Sequence, residues 1–238
     1  MTNLLPTLDP GAAFWLVQQG GPVVVIIGLF SVVALAVVIA KLAQFLWLGI
    51  GSASNGLERA LAMWTAGDIS SARNQLEGYR NPTARIVRHG MDALAMRRDE
   101  ASVREDVERV AMRSLADLRR YLRVIEATAQ VTPLLGLFGT VIGMMSAFQG
   151  LQSAGAASDP AALAGGIWVA LITTAVGLAV AMPASVVLFW FEGRIDREKA
   201  NMEDAVTRMF TERPALLRPD ASHRTGYEGS AAYAAAAE

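Results

Sequence analysis

Along three stretches of this chain the polar positions all but vanish. Residues 23–40 are apolar except for Ser31, and residues 127–158 and 160–191 contain no charged side chain. About 20 helical residues cross the roughly 30 Å hydrocarbon layer of a bilayer, so each stretch is long enough to span one. The pattern predicts an all-α integral membrane protein with three transmembrane helices, at 22–48, 128–151 and 163–191, carrying long helical extensions. Residues 49–127 lie between the first two spans, and their richness in Ala, Leu, Arg and Glu favours a helical domain.

Local punctuation refines this plan. Asp9-Pro10 reads as an N-cap with proline at the first helical position, and Gly20-Gly21-Pro22 closes the segment it opens, so residues 1–21 are expected to hold a short interfacial helix presenting Phe14 and Trp15. Breaks are expected at Gly67-Asp68 and between Gly78 and Pro82. From Asp99 to Thr132 there is neither glycine nor proline, which predicts one helix running on into span two, bent or loosened at Pro133. Asp159-Pro160 repeats the cap-plus-proline signature after a loop at 152–162. The 32 uncharged residues that follow come to roughly 48 Å of helix, more than the bilayer needs, so span three is expected to project beyond it into a helix at 192–213. Residues 214–238, with few large apolar side chains, read as a disordered tail.

Charge adds an orientation. Lys plus Arg total 21 against 22 Asp plus Glu, so no global field points to nucleic acid. None of the basic residues lies in residues 1–22 or 151–166, whereas Arg119, Arg120 and Arg123 precede span two and Arg194, Arg197 and Lys199 follow span three. Positive charge collects on the cytoplasmic side. The expected topology is an N-terminus outside (periplasmic) and a C-terminus inside, with 49–127 and 192–213 cytoplasmic. The first apolar run is too long for a signal-peptide core and lacks a basic leader, so it is read as a retained helix. Lys41, near the inner end of span one, is expected to stretch its ammonium to the headgroups. Cysteine is absent, so there is no disulfide or Cys-based metal site, and no metal or cofactor site is read.

The chemistry sits in spans two and three. Small residues four apart let helices approach closely in lipid; Gly139, Gly143 and Ala147 make one such face, and Thr173, Gly177, Ala181 and Ser185 another. They suit packing within one subunit or self-association. Thr140 and Thr174 fall near mid-depth, where a hydroxyl bonds a partner or water, or back-bonds to the carbonyl four residues earlier. Thr173 lies 100° around the helix from Thr174, so one of the two is expected to face a pore and the other a neighbouring helix, and Thr140, Thr174 and Thr173 are all candidates for lining a polar path. Pro183 frees the carbonyl of Ala179 and is a candidate kink. Inside the spans there is no Asp, Glu, His or Arg, and Lys41 sits at an edge. Ion-motive proteins place ionisable groups in the bilayer despite their cost; if this chain moves ions, a partner supplies the carboxylate.

The segment Thr132-Pro133-Leu134-Leu135-Gly136-Leu137-Phe138-Gly139-Thr140-Val141-Ile142-Gly143, followed by Gly166-Ile167-Trp168-Val169-Ala170-Leu171-Ile172-Thr173-Thr174-Ala175-Val176-Gly177-Leu178 and Pro183, resembles the ExbB/TolQ/MotA family of proton-channel subunits, ExbB most closely. The resemblance covers most of residues 10–210. It implies a homo-oligomeric ring, a pentamer, around an ExbD-like or TolR-like single-span partner whose aspartate carries the proton. It also implies a bacterial inner-membrane motor that energises a TonB-like protein and outer-membrane transport. Thr140 and Thr174 match the threonines lining the family's passage. Val169 departs from the pattern, because ExbB and TolQ proteins usually carry glutamate there while MotA-like members tend to have an apolar residue. Three spans rather than four argue against a flagellar stator.

Beside the ExbB-like reading stand a TolQ-like or MotA-like stator subunit and a non-conducting membrane scaffold. An enzyme is the poorest fit, since neither lysine sits in a Gly-Lys-Ser/Thr phosphate loop and His89 and His223 fall in the loop and tail. Arg104, Glu105, Asp106, Glu108 and Arg109 are expected to form a solvated face or helix-to-helix pairs, with docking as the other use.

Overall fold

A computed structural model of the chain describes residues 10–50, 54–96, 98–154, 160–214 and 217, with side-chain surroundings from Gly21 onward except at 154 and 162. Asp9, Asp159, the middle of the loop at 152–162, the side chains of Phe14 and Trp15, and nearly all of the tail with His223 lie outside the described residues. Every regular element described is a helix: α1 (Pro10–Leu48), α2 (Ser54–Thr65), α3 (Ile69–Gln75), α4 (Pro82–Ala95), α5 (Glu100–Arg119), α6 (Leu122–Ala154) and α7 (Pro160–Thr211). Three of them contain stretches long and apolar enough to cross a membrane, Gly21–Leu48, Leu122–Ser153 and Leu163–Thr211.

Two compact units divide the chain, Met1–Leu46 with Asp117–Asp196, and Trp47–Ala116 with Arg197–Glu238. The first holds the apolar spans. Its large outward side chains, among them Leu29, Val32, Leu137, Phe138, Leu171 and Phe189, are exposed along whole helix faces. A protein in water does not present such continuous apolar surface, and lipid or partner helices explain it. Phe45 packs edge-on against Phe191, with ring centroids 5.2 Å apart, and Trp190 against Phe191 at 5.1 Å, which joins the end of α1 to α7.

The second unit is built like a water-soluble helical domain. Trp64, Leu61, Leu76, Ile86, Met91, Val107 and Met209 are shut inside it, and the Trp64 indole donates to the Met209 carbonyl at 3.0 Å. Its turns follow the punctuation. Gly67 and Gly78 take positive φ (88° and 84°), Asp68 caps α3 by accepting from the Ser71 N–H at 3.0 Å, and Asn81 caps α4 by accepting from Thr83 N–H at 2.8 Å, with Pro82 opening the helix. Glu198 is buried here, accepting from the Thr83 hydroxyl at 2.7 Å.

Two expectations need correction. The helix from Asp99 does not run uninterrupted into span two: α5 ends at Arg119, and Tyr121 takes φ 67°, the only positive-φ residue other than glycine among those described. Lys41 does not reach for headgroups. It is 2 % exposed, and its ammonium donates to the Leu118 carbonyl at 2.9 Å, to Gln44 Oε1 at 2.9 Å and to the Asp117 carbonyl at 3.4 Å. The carbonyls released where α5 stops supply its acceptors instead. α1 departs from helical geometry at Gly21 (φ 63°, ψ −161°), beside Pro22, where the short N-terminal helix was expected to close. α6 and α7 continue through Pro133 and Pro183.

Candidate functional site

The site grows from one packing seam between α6 and α7. A Cβ added at Gly177 would lie 2.6 Å from the Thr132 carbonyl oxygen, at Gly136 3.0 Å from Thr174 Cα, at Gly139 2.7 Å from Thr173 Oγ1, at Gly143 2.9 Å from Ala170 Cβ, and at Gly166 2.5 Å from Ala147 Cβ. Each is at or below the closest approach that carbon atoms tolerate, so a larger residue at any of the five displaces one helix from the other. The glycines singled out from sequence thus all fall on this seam. On α7 the seam takes in Thr173 and Gly177 and also Ala170 and Gly166, toward the start of the helix, which spacing had not put on that face.

The threonines are held by backbone carbonyls. Thr173 is buried, and its hydroxyl donates to the Ala170 carbonyl at 2.6 Å. Thr174 does not back-bond; its hydroxyl crosses to α6 and donates to the Gly136 carbonyl at 3.0 Å. Thr140, one turn beyond Gly136, donates to the Leu137 carbonyl at 2.6 Å and is half-buried. The seam therefore brings Thr174 within a helical turn of Thr140 along α6 and sets Thr173 into the helix contact. A hydroxyl whose proton is spent on a carbonyl still offers oxygen lone pairs. Thr140 also lines an open groove of about 450 Å³ on α6 with Val141, Met144, Met145, Phe148 and Gln149.

Val169 is half-buried on α7, one position before Ala170 of the seam. Nothing in residues 127–154 or 160–191 can carry a proton as an ordinary acid or base. No group of three or more His, Asp or Glu side chains able to hold a metal occurs among the described residues.

Two features escaped the reading of the sequence. Thr128 and Thr132 are fully buried and back-bond in series, to the Val124 and Thr128 carbonyls at 2.8 Å each, which continues the threonine line down α6. Their spacing of four was the available signal. The Lys41 contacts were foreshadowed by Gln44, one turn on along the same face of α1.

Outside the membrane segments the charges pair along exposed faces. His89 meets Asp106 at 2.7 Å, Arg109 meets Asp106 at 2.6 Å, Arg104 meets Glu100 at 3.9 Å, and Arg208 meets Glu58 at 2.8 Å. The His89 hydrogen bond, then the Arg109 guanidinium, hold the Asp106 carboxyl below the usual carboxylate range. These are the helix-to-helix and same-helix pairs the charge pattern suggested.

Fold and site together define a three-span helical membrane protein whose second and third spans close through glycines around threonine hydroxyls. A family model described as the MotA/TolQ/ExbB proton channel family matches residues 79–204, just over half of the chain. The chain belongs to that family, one of channel subunits rather than of enzymes. It is 35% identical over 154 residues to a putative biopolymer transport protein ExbB homolog of Methanothermobacter thermautotrophicus, covering 65% of this chain and 51% of that protein. Over 209 residues it is 28% identical to the Tol-Pal system protein TolQ of Pseudomonas aeruginosa, covering 79% of this chain and 87% of that one. Over 89 residues it is 38% identical to the biopolymer transport protein ExbB of Salmonella typhimurium, covering 37% and 35%. The chain thus spans about half, or less, of the two ExbB relatives, and most of the TolQ protein.

Proposed function

We propose that this chain is an ExbB-like subunit of a proton-channel assembly in a bacterial inner membrane, N-terminus in the periplasm and C-terminus in the cytoplasm. It works as a ring, a pentamer on the family pattern, around an ExbD-like single-span partner, and passes the energy of proton flow to a TonB-like protein. The observation that carries this reading is the threonine pair on a glycine-tight seam within stretches devoid of titratable groups. Such a seam offers polar oxygens at membrane depth while leaving the proton-carrying group to another helix. A proton crossing 100 mV releases about 2.3 kcal/mol, so a few of them suffice for a conformational stroke of ordinary height. On this reading Thr140 and Thr174 bind the partner's carboxyl or the water beside it, and Thr173 keeps the helices in register.

Proteoliposomes holding the chain with its co-expressed partner test this. Replacing both Thr140 and Thr174 by valine is expected to bring proton flux down to the leak of empty vesicles, whereas wild-type flux in the double variant refutes the assignment. The TolQ-like alternative draws on the length of the TolQ match, which covers more of both proteins than either ExbB match does. Complementation of a strain lacking TolQ, set against one lacking ExbB, separates the two. The scaffold reading predicts no flux under any condition.

A further inference from the structure

The contact between Lys41 and the end of α5 does more than satisfy a buried charge. Nothing in the local sequence stops a helix at Arg119-Arg120-Tyr121-Leu122, since all four residues are acceptable helix formers and the nearest glycine or proline downstream is Pro133. The break places a bulky aromatic residue at φ 67°, a left-handed conformation that disfavours any side chain with a Cβ. It also removes the helical partners of the Asp117 and Leu118 carbonyls, which in a continuous helix accept from the N–H groups of residues 121 and 122. Those two carbonyls are the ones that the Lys41 ammonium takes up. The ammonium acts as a C-terminal cap delivered from another helix, and charge-assisted hydrogen bonds are the stronger kind. Three protons meet three acceptors, Gln44 being the third.

We propose that Lys41 is the latch of a two-state joint, in which the backbone at residues 119–122 switches between the broken form of this structure and an unbroken helix joining α5 to α6. With the ammonium seated, the two carbonyls are satisfied and the left-handed Tyr121 is tolerated. When the ammonium withdraws, the buried Leu118 carbonyl left without a partner is costly, and the helical hydrogen bonds from residues 121 and 122 re-form in its place. The joint lies at the start of span two, so the latch governs whether the helix entering the membrane is continuous.

Amide hydrogen exchange of the full-length protein in lipid nanodiscs, followed at residues 121–123, tests this. In the wild type these amides head a new helix and exchange fast. Lys41→Met is expected to slow them by roughly tenfold or more, the weight of a charge-assisted hydrogen bond lost from the broken form. Simple damage to the fold moves exchange the opposite way. Adding Tyr121→Gly to Lys41→Met, which eases the left-handed turn, is expected to restore fast exchange. Should the Lys41 variant fail to insert, Tyr121→Ile keeps the lysine and penalises the turn, and is expected to slow the same amides. Unchanged or faster exchange in Lys41→Met, or in Tyr121→Ile, overturns the proposal.

Discussion

Gly177→Ala places a single methyl where the seam has no room. Its carbon would lie 2.6 Å from the Thr132 carbonyl oxygen and 3.3 Å from Gly136 Cα, both backbone atoms that no rotamer change can move aside. A carbon and a carbonyl oxygen ordinarily stop at about 3.3 Å, so α7 must withdraw by roughly 0.7 Å or bend. Overpacking of this kind costs about 1–3 kcal/mol. Against it stands the gain of about 1 kcal/mol from replacing a helical glycine by alanine. Gly150 supplies the control, because a Cβ there meets nothing within 4 Å and Gly150→Ala collects the helical gain alone. The stability of Gly177→Ala is therefore expected to fall below that of Gly150→Ala by about 1–3 kcal/mol. Reversible unfolding in mixed micelles, followed by circular dichroism, measures the difference. Equal stabilities would refute the view that α6 and α7 touch through bare backbone, and with it the placement of Thr174 against Gly136.

Two further outcomes follow from the second unit. Trp64→Phe leaves the buried Met209 carbonyl without its 3.0 Å indole donor, and is expected to lower stability by about 1–3 kcal/mol, read from denaturant midpoints at unchanged slope. Asp106 titrates below its ordinary 3.8 because His89 and Arg109 favour its charged form, so its contribution is full above that value and fades as pH falls through the depressed one. Asp106→Asn is thus expected to flatten the acid limb of a melting-temperature profile below about pH 4 while barely changing the shape above it, and a profile identical to wild type would count against the pairing.

The membrane class and the small-residue faces were legible because lipid imposes rules that a single sequence displays: length without charge for a span, and glycine where helices must touch. The breaks at Gly67-Asp68 and between Gly78 and Pro82 were equally plain, since glycine and proline punctuate a helix within a few residues. What escaped was decided at a distance. Tyr121 breaks a helix that its neighbours would continue, and the reason stands on α1, in an ammonium that finds carbonyls instead of headgroups. Glu198 looks like one more charge on a solvated helix, and only folding brings the Thr83 hydroxyl to it. Ala170 and Gly166 join the seam for a similar cause, since their place on it depends on the angle at which α6 crosses α7.

The hydrogen-bond directions at the seam constrain the proposed chemistry further. Thr140, Thr173 and Thr174 each donate their hydroxyl proton to a carbonyl, at 2.6, 2.6 and 3.0 Å. In this arrangement their remaining capacity is to accept. An acceptor stabilises a protonated carboxyl or a water proton and gives an ionised carboxylate nothing. On the proposed function, the state seen here is therefore suited to a partner that has already taken up its proton. Binding the ionised partner requires Thr140 or Thr174 to swing its hydroxyl off Leu137 or Gly136. Thr174 is the costlier to turn, because its bond ties α7 to α6. Thr140, bonded within its own helix, can turn without disturbing the seam. On the proposed function Val169 fits the same logic, for a glutamate beside this seam would add a second group to compete for the proton, whereas valine leaves that proton to the proposed partner's carboxyl.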